Sequence, residues 1–235
     1  MKAYLLRKTK NNWQSVRCGR AAHNLLYLLG TPMLSEYPAM REEIVAMFHL
    51  GGIIGSLRAG SYNAMLMHTI QTMLPDDMEL EIIAFADVPL YNQDLDGGHP
   101  PEPAQRLRSQ IAAKDGLIIC TPEYNYSIPG GLKNAIDWAS RPPATSALRG
   151  KPIALFGAST GSYGTVRAQL ALRQSFIFTR SVVVNRPEVM IMRAQEKFSD
   201  GRLSDEPFLE TVRKSLDSFV RYLRNPQLAT IMAEP

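Results

Sequence analysis

Within nine residues, GSLRAGSYN (Gly55–Asn63), the chain gathers two hydroxyls (Ser56, Ser61), a guanidinium (Arg58), a side-chain amide (Asn63) and two flexible glycines (Gly55, Gly60). The stretch runs into a segment with helical spacing, and the N–H groups and dipole at a helix start favour an anion. Hydroxyls and a single Arg added to them suit one terminal phosphate. The stretch lacks the Lys-Ser/Thr ending of the Walker loop, and GGIIGS (51–56) does not match the dinucleotide glycine fingerprint, so ATP and a primary dinucleotide cofactor are disfavoured. Taken singly, Ser61 reads as a helix cap and Arg58 as a solvated charge. The cluster as a whole reads as a phosphate loop.

A second stretch, TPEYNYSIPGGLKNAIDW (121–138), follows an apolar run and is too long and too rich in planar groups for a plain turn. Pro122 and Pro129 restrict the backbone, while Gly130 and Gly131 allow close approach ahead of the next helix. Glu123, Tyr124, Asn125 and Tyr126 offer hydrogen bonds and aromatic surface to a flat heterocycle. For either tyrosine alone, packing or a subunit contact is the plainer reading, and Trp138 reads as core. A third stretch, ASTGSYGT (158–165), is small and flexible; it either passes close to the same heterocycle or is a simple strand–helix turn capped by Thr165.

Strands alternating with helices must carry these loops. Apolar runs at 48–54, 80–85, 116–121, 152–159 and 181–185 read as strands, and the run at 116–121 is apolar enough to be covered on both faces. Helical spacing predicts helices over 63–74, around Leu107 and Ile111, over 131–140, 165–178 and 205–224. This alternation implies right-handed crossovers and a parallel sheet between helical layers. The expected class is α/β, a flavodoxin-like three-layer sandwich with a five-stranded parallel sheet in the order 2-1-3-4-5. In that order strands one, three and four are neighbours, so their trailing loops share one mouth at the carboxyl ends of the strands.

At 235 residues the chain is long enough for one full core, and 45% hydrophobic with 20% charged residues is ordinary for a globular protein. Residues 1–46 hold seven Lys or Arg against three Glu, which accounts for the whole net charge of +4; the remainder balances at 19 basic and 19 acidic residues. A basic platform for nucleic acid is therefore excluded from the body of the chain. No run approaches the ~18 apolar residues of a membrane span. Cys18 and Cys120 give no disulfide framework, and His49, His68 and His99 are too scattered for a metal set. The reading is a cytoplasmic protein. Residues 1–46, interrupted by Gly30, Pro32 and Pro38, are expected to be an N-terminal extension, either a disordered arm or a mis-assigned start with Met40 or Met47 as the beginning. A targeting segment is the third alternative.

With GSLRAGSYN (55–63), TPEYNYSIPGGLKNAIDW (121–138) and GKPIALFGASTGSYG (150–164) in this order and spacing, the chain resembles the NADPH-dependent FMN reductase family, flavodoxin-like enzymes that include chromate, quinone and azo-dye reductases. The resemblance covers about residues 47–224 and implies one FMN-binding domain over 47–235. It implies that Ser56, Arg58, Ser61 and Asn63 hold the FMN phosphate. Pro122, Glu123, Tyr124 and Asn125 would line the isoalloxazine, with Ser159 and Gly161 on the third loop. It further implies NADPH, or NADH, as electron donor, and a homodimer or homotetramer. A ping-pong cycle would hand electrons from NADPH through FMN to a quinone, azo compound, chromate or similar small-molecule acceptor. Cys120, on an apolar strand, reads as a buried small hydrophobe rather than a redox centre. Two other classes remain at this point. One is a flavodoxin-type electron carrier, against which the charge-neutral body argues; the other is a non-catalytic nucleotide-binding regulator.

Overall fold

The computed structural model describes residues 3–9, 12–18 and 47–225, with side chains from 47 onward. Ahead of the main domain, β1 (Ala3–Thr9) and β2 (Asn12–Cys18) pair antiparallel, Ala3 opposite Cys18 and Thr9 opposite Asn12. The rest of the extension expected over 1–46 lies outside the described residues.

The main sheet is built from β3 (Phe48–Ile54), β4 (Met78–Ile82), β5 (Gly116–Thr121) and β6 (Pro152–Ala158), in the order β4-β3-β5-β6. The last position is shared by two short strands, β7 (Val182–Val183) and β8 (Val189–Ile191), both parallel to β6. This is the expected order 2-1-3-4-5, with its fifth strand broken. The run SVVVN supplies only two paired residues before the chain reaches Pro187, which has no N–H to give a ladder; pairing resumes at Val189.

Helices α1 (Tyr62–Gln71), α2 (Glu102–Ala112), α3 (Gly130–Ala139), α4 (Val166–Thr179) and α5 (Glu206–Leu223) fall where the spacing predicts them. Strand periodicity assigns them to two faces. Ile53, Leu117, Ile119, Ile153 and Leu155 pack with Leu107 and Ile111 of α2, Leu132 and Trp138 of α3, and Leu172 and Phe176 of α4. On the alternate positions, Gly52 sits close against Met67 of α1 and Gly116 against Phe219 of α5. Every residue of β5 is buried, as a central strand covered on both faces requires. Trp138 is fully buried and donates its Nε1–H to the Pro89 carbonyl at 2.8 Å, so it belongs to the core.

A small hairpin follows the sheet and has no counterpart among the elements expected from the sequence. Strands β9 (Phe198–Ser199) and β10 (Arg202–Leu203) form a hairpin around Asp200 and Gly201, which sit at φ 49° and 74°. Two left-handed turn residues of Asp-Gly type are what a tight hairpin turn demands.

Sheet register explains why the three loops meet. Ile54 lies opposite Cys120, and Thr121 lies opposite Gly157, so β3, β5 and β6 end level with one another. The Gly55 N–H donates to the Cys120 carbonyl at 2.8 Å, which ties the start of the first loop to the strand carrying the second.

Candidate active site

Beyond these strand ends lies a cleft of about 370 Å3. Eight of the ten sequence-chosen residues line it: Ser56, Arg58, Ser61 and Asn63 from the first loop, Pro122, Glu123 and Tyr124 from the second, and Ser159 from the third. Asn125 and Gly161 do not. Tyr62 and Thr160 line it as well, and the sequence reading did not select them. Tyr62 lies inside the motif itself, between Ser61 and Asn63, and its type alone could have suggested it.

The first loop ends in a capped helix. Ser61 is buried, and its Oγ accepts from the N–H groups of Asn63 (3.2 Å) and Ala64 (3.3 Å), so this hydroxyl is the N-cap of α1. Asn63 is 2% exposed, and both ends of its amide are engaged. Its Nδ2 donates to the Ala158 carbonyl and its Oδ1 accepts from the Ala158 N–H, each at 2.9 Å. Asn63 thereby clips the start of α1 to the end of β6. Arg58 is exposed and lies 5.6 Å from the Tyr62 ring centroid, with no carboxylate partner among the described residues. Nor does any group among the described residues accept the backbone N–H of Leu57, Ala59, Gly60 or Ser61. A cation without an acid beside several unclaimed N–H donors is an arrangement able to receive an anion.

The second loop is a tight reverse turn. Tyr124 and Ser127 exchange both backbone hydrogen bonds at 2.9 Å, and Asn125 and Tyr126 between them sit at φ 47° and 66°. Asn tolerates the left-handed region; a tyrosine there is unusual and carries strain of roughly 1–2 kcal/mol. The turn leaves Tyr124 half exposed on the cleft and Tyr126 75% exposed beside it. Glu123 faces the other way in its chemistry. Its carboxylate accepts from the N–H of Arg167 (2.9 Å) and Ala168 (3.3 Å) and from the Arg167 guanidinium (2.8 Å). Arg167, absent from the sequence-chosen set, lies 3.8 Å from the Tyr126 ring centroid and 4.9 Å from that of Tyr163.

The third loop is pinned to the chain after β8. Ser159 donates its N–H to Ile191 at 2.9 Å, and Arg193 donates to Gly161 at 3.1 Å. Its helix-start residue Thr165 makes no side-chain cap; the Thr165 Oγ1 instead accepts from Gln169 Nε2 at 3.0 Å. Cys120 is fully buried beneath the site, and burial pushes its thiol pKa up, so it is held protonated and inert. Among the described residues no group of three or more His, Cys, Asp or Glu could hold a metal ion, and no helix is long and apolar enough to cross a membrane.

Comparison with known proteins points the same way as this geometry. The family pattern described as NADPH-dependent FMN reductase matches residues 48–196, which contain all three loops. An NAD(P)H-dependent FMN reductase of Pseudomonas aeruginosa is 46% identical over 175 residues, covering 74% of this chain and 94% of that protein. A quinone reductase of Escherichia coli is 39% identical over 180 residues, covering 75% and 95%. Among solved structures, the flavoenzyme NAD(P)H:(acceptor) oxidoreductase FerB of Paracoccus denitrificans superposes with a TM-score of 0.69 at 35% identity, covering 75% of this chain and 97% of that one. A match over residues 48–196, together with a relative 46% identical over 74% of this chain, settles the affiliation: the chain belongs to the NADPH-dependent FMN reductase family.

Proposed function

We propose that this protein is an FMN-dependent NAD(P)H oxidoreductase that passes electrons from NADPH to a quinone or a similar small-molecule acceptor such as an azo compound or chromate. The observation that carries the reading is the pairing, at the carboxyl ends of neighbouring strands, of an unopposed Arg58 and unclaimed N–H donors with the Pro122–Tyr124 wall. The residues fit FMN. The loop 56–61 would take the phosphate, with Arg58 supplying its charge and the Ser56 hydroxyl and loop N–H groups its hydrogen bonds. Pro122, Tyr124 and Tyr62 would bound the flat ring. Asn63 and Ser61 shape that cradle through the backbone, since their side chains are engaged within the protein. Bound FMN supplies the redox chemistry, and the protein's part is to bind, orient and exclude. Asn125 and Gly161 contribute backbone geometry to the two walls.

A homodimer or homotetramer is part of the proposal. Val166, Leu170 and Ile177 form one exposed apolar stripe along α4, and Phe178 adjoins it. Such a stripe on a surface helix favours a partner surface. The test of function is steady-state NADPH oxidation by the FMN-loaded protein with a benzoquinone as acceptor. Parallel double-reciprocal lines at varied quinone support the enzyme. Flavin that stays bound and is not reduced by NADPH or NADH would convert the reading to an electron carrier, and failure to take up FMN would end both.

A further inference from the structure

Glu123 reads from the sequence as a ring-contacting side chain. Its surroundings give it a different task. Its side chain is only 10% exposed, and its hydrogen-bond partners, Arg167 and Ala168, lie on α4, 44 and 45 residues further along the chain. Helix α4 lacks a local side-chain cap, and the Thr165 Oγ1 accepts from Gln169 Nε2. Two of the α4 N–H groups that a helix start leaves orphaned are taken by this carboxylate instead. The same carboxylate holds the Arg167 guanidinium at 2.8 Å, with both side chains largely shielded from water (27% and 10% exposed). Held there, the guanidinium lies over the Tyr126 ring at 3.8 Å. Tyr126 is the strained, left-handed residue of the 124–127 turn.

We infer that Glu123 is a positioning residue: through Arg167 and Tyr126 it locks the turn that presents Tyr124 to the first turn of α4, the helix into which the third loop of the cleft leads. A closed circuit carries this. The chain leaves Glu123, enters the turn, and is gripped at Tyr126 by the cation that Glu123 itself holds. The cation–π contact offsets the cost of placing a tyrosine at φ 66°, which explains a bulky residue where Gly or Asn would be easier. The effect of this lock on cofactor affinity rests on the FMN reading above; the lock itself does not.

The experiment is hydrogen exchange on the full chain, comparing wild type with Glu123→Gln, Arg167→Met and the double variant. Gln keeps an oxygen for the α4 N–H groups, and Met leaves the cap itself untouched, so neither variant is built to unfold the helix. The lock predicts that the Tyr124 and Ser127 amides, which bond each other across the turn, exchange about tenfold faster in each single variant. The double variant should be no faster than either single one, because both break the same circuit. A parallel FMN titration should show weaker binding by about tenfold in the same three proteins. Exchange that quickens only at Arg167 and Ala168, with the turn unchanged, would show a simple helix cap and overturn the inference. So would additive effects in the double variant. A wild-type protein that takes no FMN would defeat the cofactor reading, while the exchange data would still decide the lock.

Discussion

Replacing Asn63 with Ala tests how the phosphate loop is held in place. The side chain makes two hydrogen bonds of 2.9 Å with one residue, Ala158, and both residues are 2% exposed. Removing the amide leaves a buried N–H and a buried C=O without their partner. Each orphan costs roughly 1–3 kcal/mol, against which Ala returns about 0.5 kcal/mol of helix propensity at the start of α1. The net expectation is about 1.5–5.5 kcal/mol of destabilisation, or a fall in Tm of about 3–20 °C for a domain of this size. The assay is thermal and urea unfolding of the apoprotein, followed by FMN titration of whatever remains folded at 20 °C or below. Asn63→Asp should do no better, since a carboxylate can accept from the Ala158 N–H but faces the Ala158 carbonyl without a proton to give. An Asn63→Ala protein with Tm within about 2 °C of wild type would refute the clip and return Asn63 to the role of a direct ligand.

Three other expectations follow from the same geometry. Arg58→Ala should weaken FMN binding by about 1–3 kcal/mol with little change in apoprotein stability, because the charge-assisted contact it loses is to the ligand alone; unchanged FMN affinity by titration would make Arg58 a solvated charge. Gly157→Ala should cost roughly 1–3 kcal/mol or more in unfolding experiments, since the added Cβ would lie 2.0 Å from Thr165 Oγ1 and 2.7 Å from the Thr121 carbonyl. Thr165 can rotate, but the Thr121 carbonyl belongs to β5 and cannot retreat. Lys151 supplies a pH test. Its ammonium donates to the Ala112 and Lys114 carbonyls, and burial pushes its pKa down while Asp115 opposes that shift. Between its lowered folded value and the ordinary lysine value near ~10.4, the unfolded chain holds more protons than the folded one, so this group's contribution to stability rises with pH. Wild type should therefore gain on Lys151→Met as pH rises toward the ordinary lysine value in urea unfolding, and a difference that is flat or falls with pH contradicts the burial argument.

Much of this was legible in the chain because the signals are local. The fully apolar run 116–121 became the central strand, and Pro75 and the helical spacing of Leu66 and Ile70 delimited α1. Placing strands one, three and four side by side was enough to bring three loops to one cleft. What the sequence could not show is which polar groups are already spoken for. Asn63 and Glu123 carry ligand-like side chains, yet their partners lie 95 and 44 residues away, at Ala158 and Arg167. Arg167 itself escaped notice for the same reason, since one Arg in a helix signals nothing until the fold brings it over Tyr126. The 198–203 hairpin was missed despite its Asp-Gly turn, because two-residue strands show no alternation to read. The fifth strand is expected over 181–185 because Val182–Val184 looks apolar, and its second piece, Val189–Ile191, gives too short an apolar run beyond Pro187 to be seen in the sequence.

The account depends most on the division of labour between a phosphate-holding loop and a ring-supporting turn. Riboflavin carries the same ring as FMN without the phosphate, so parallel titrations of the apoprotein with the two separate these contributions directly. If Arg58 and the 56–61 donors grip the phosphate, FMN should bind at least about 100-fold more tightly than riboflavin, the equivalent of two or more charge-assisted hydrogen bonds. Arg58→Ala should narrow that gap. Equal affinity for the two flavins would contradict the account.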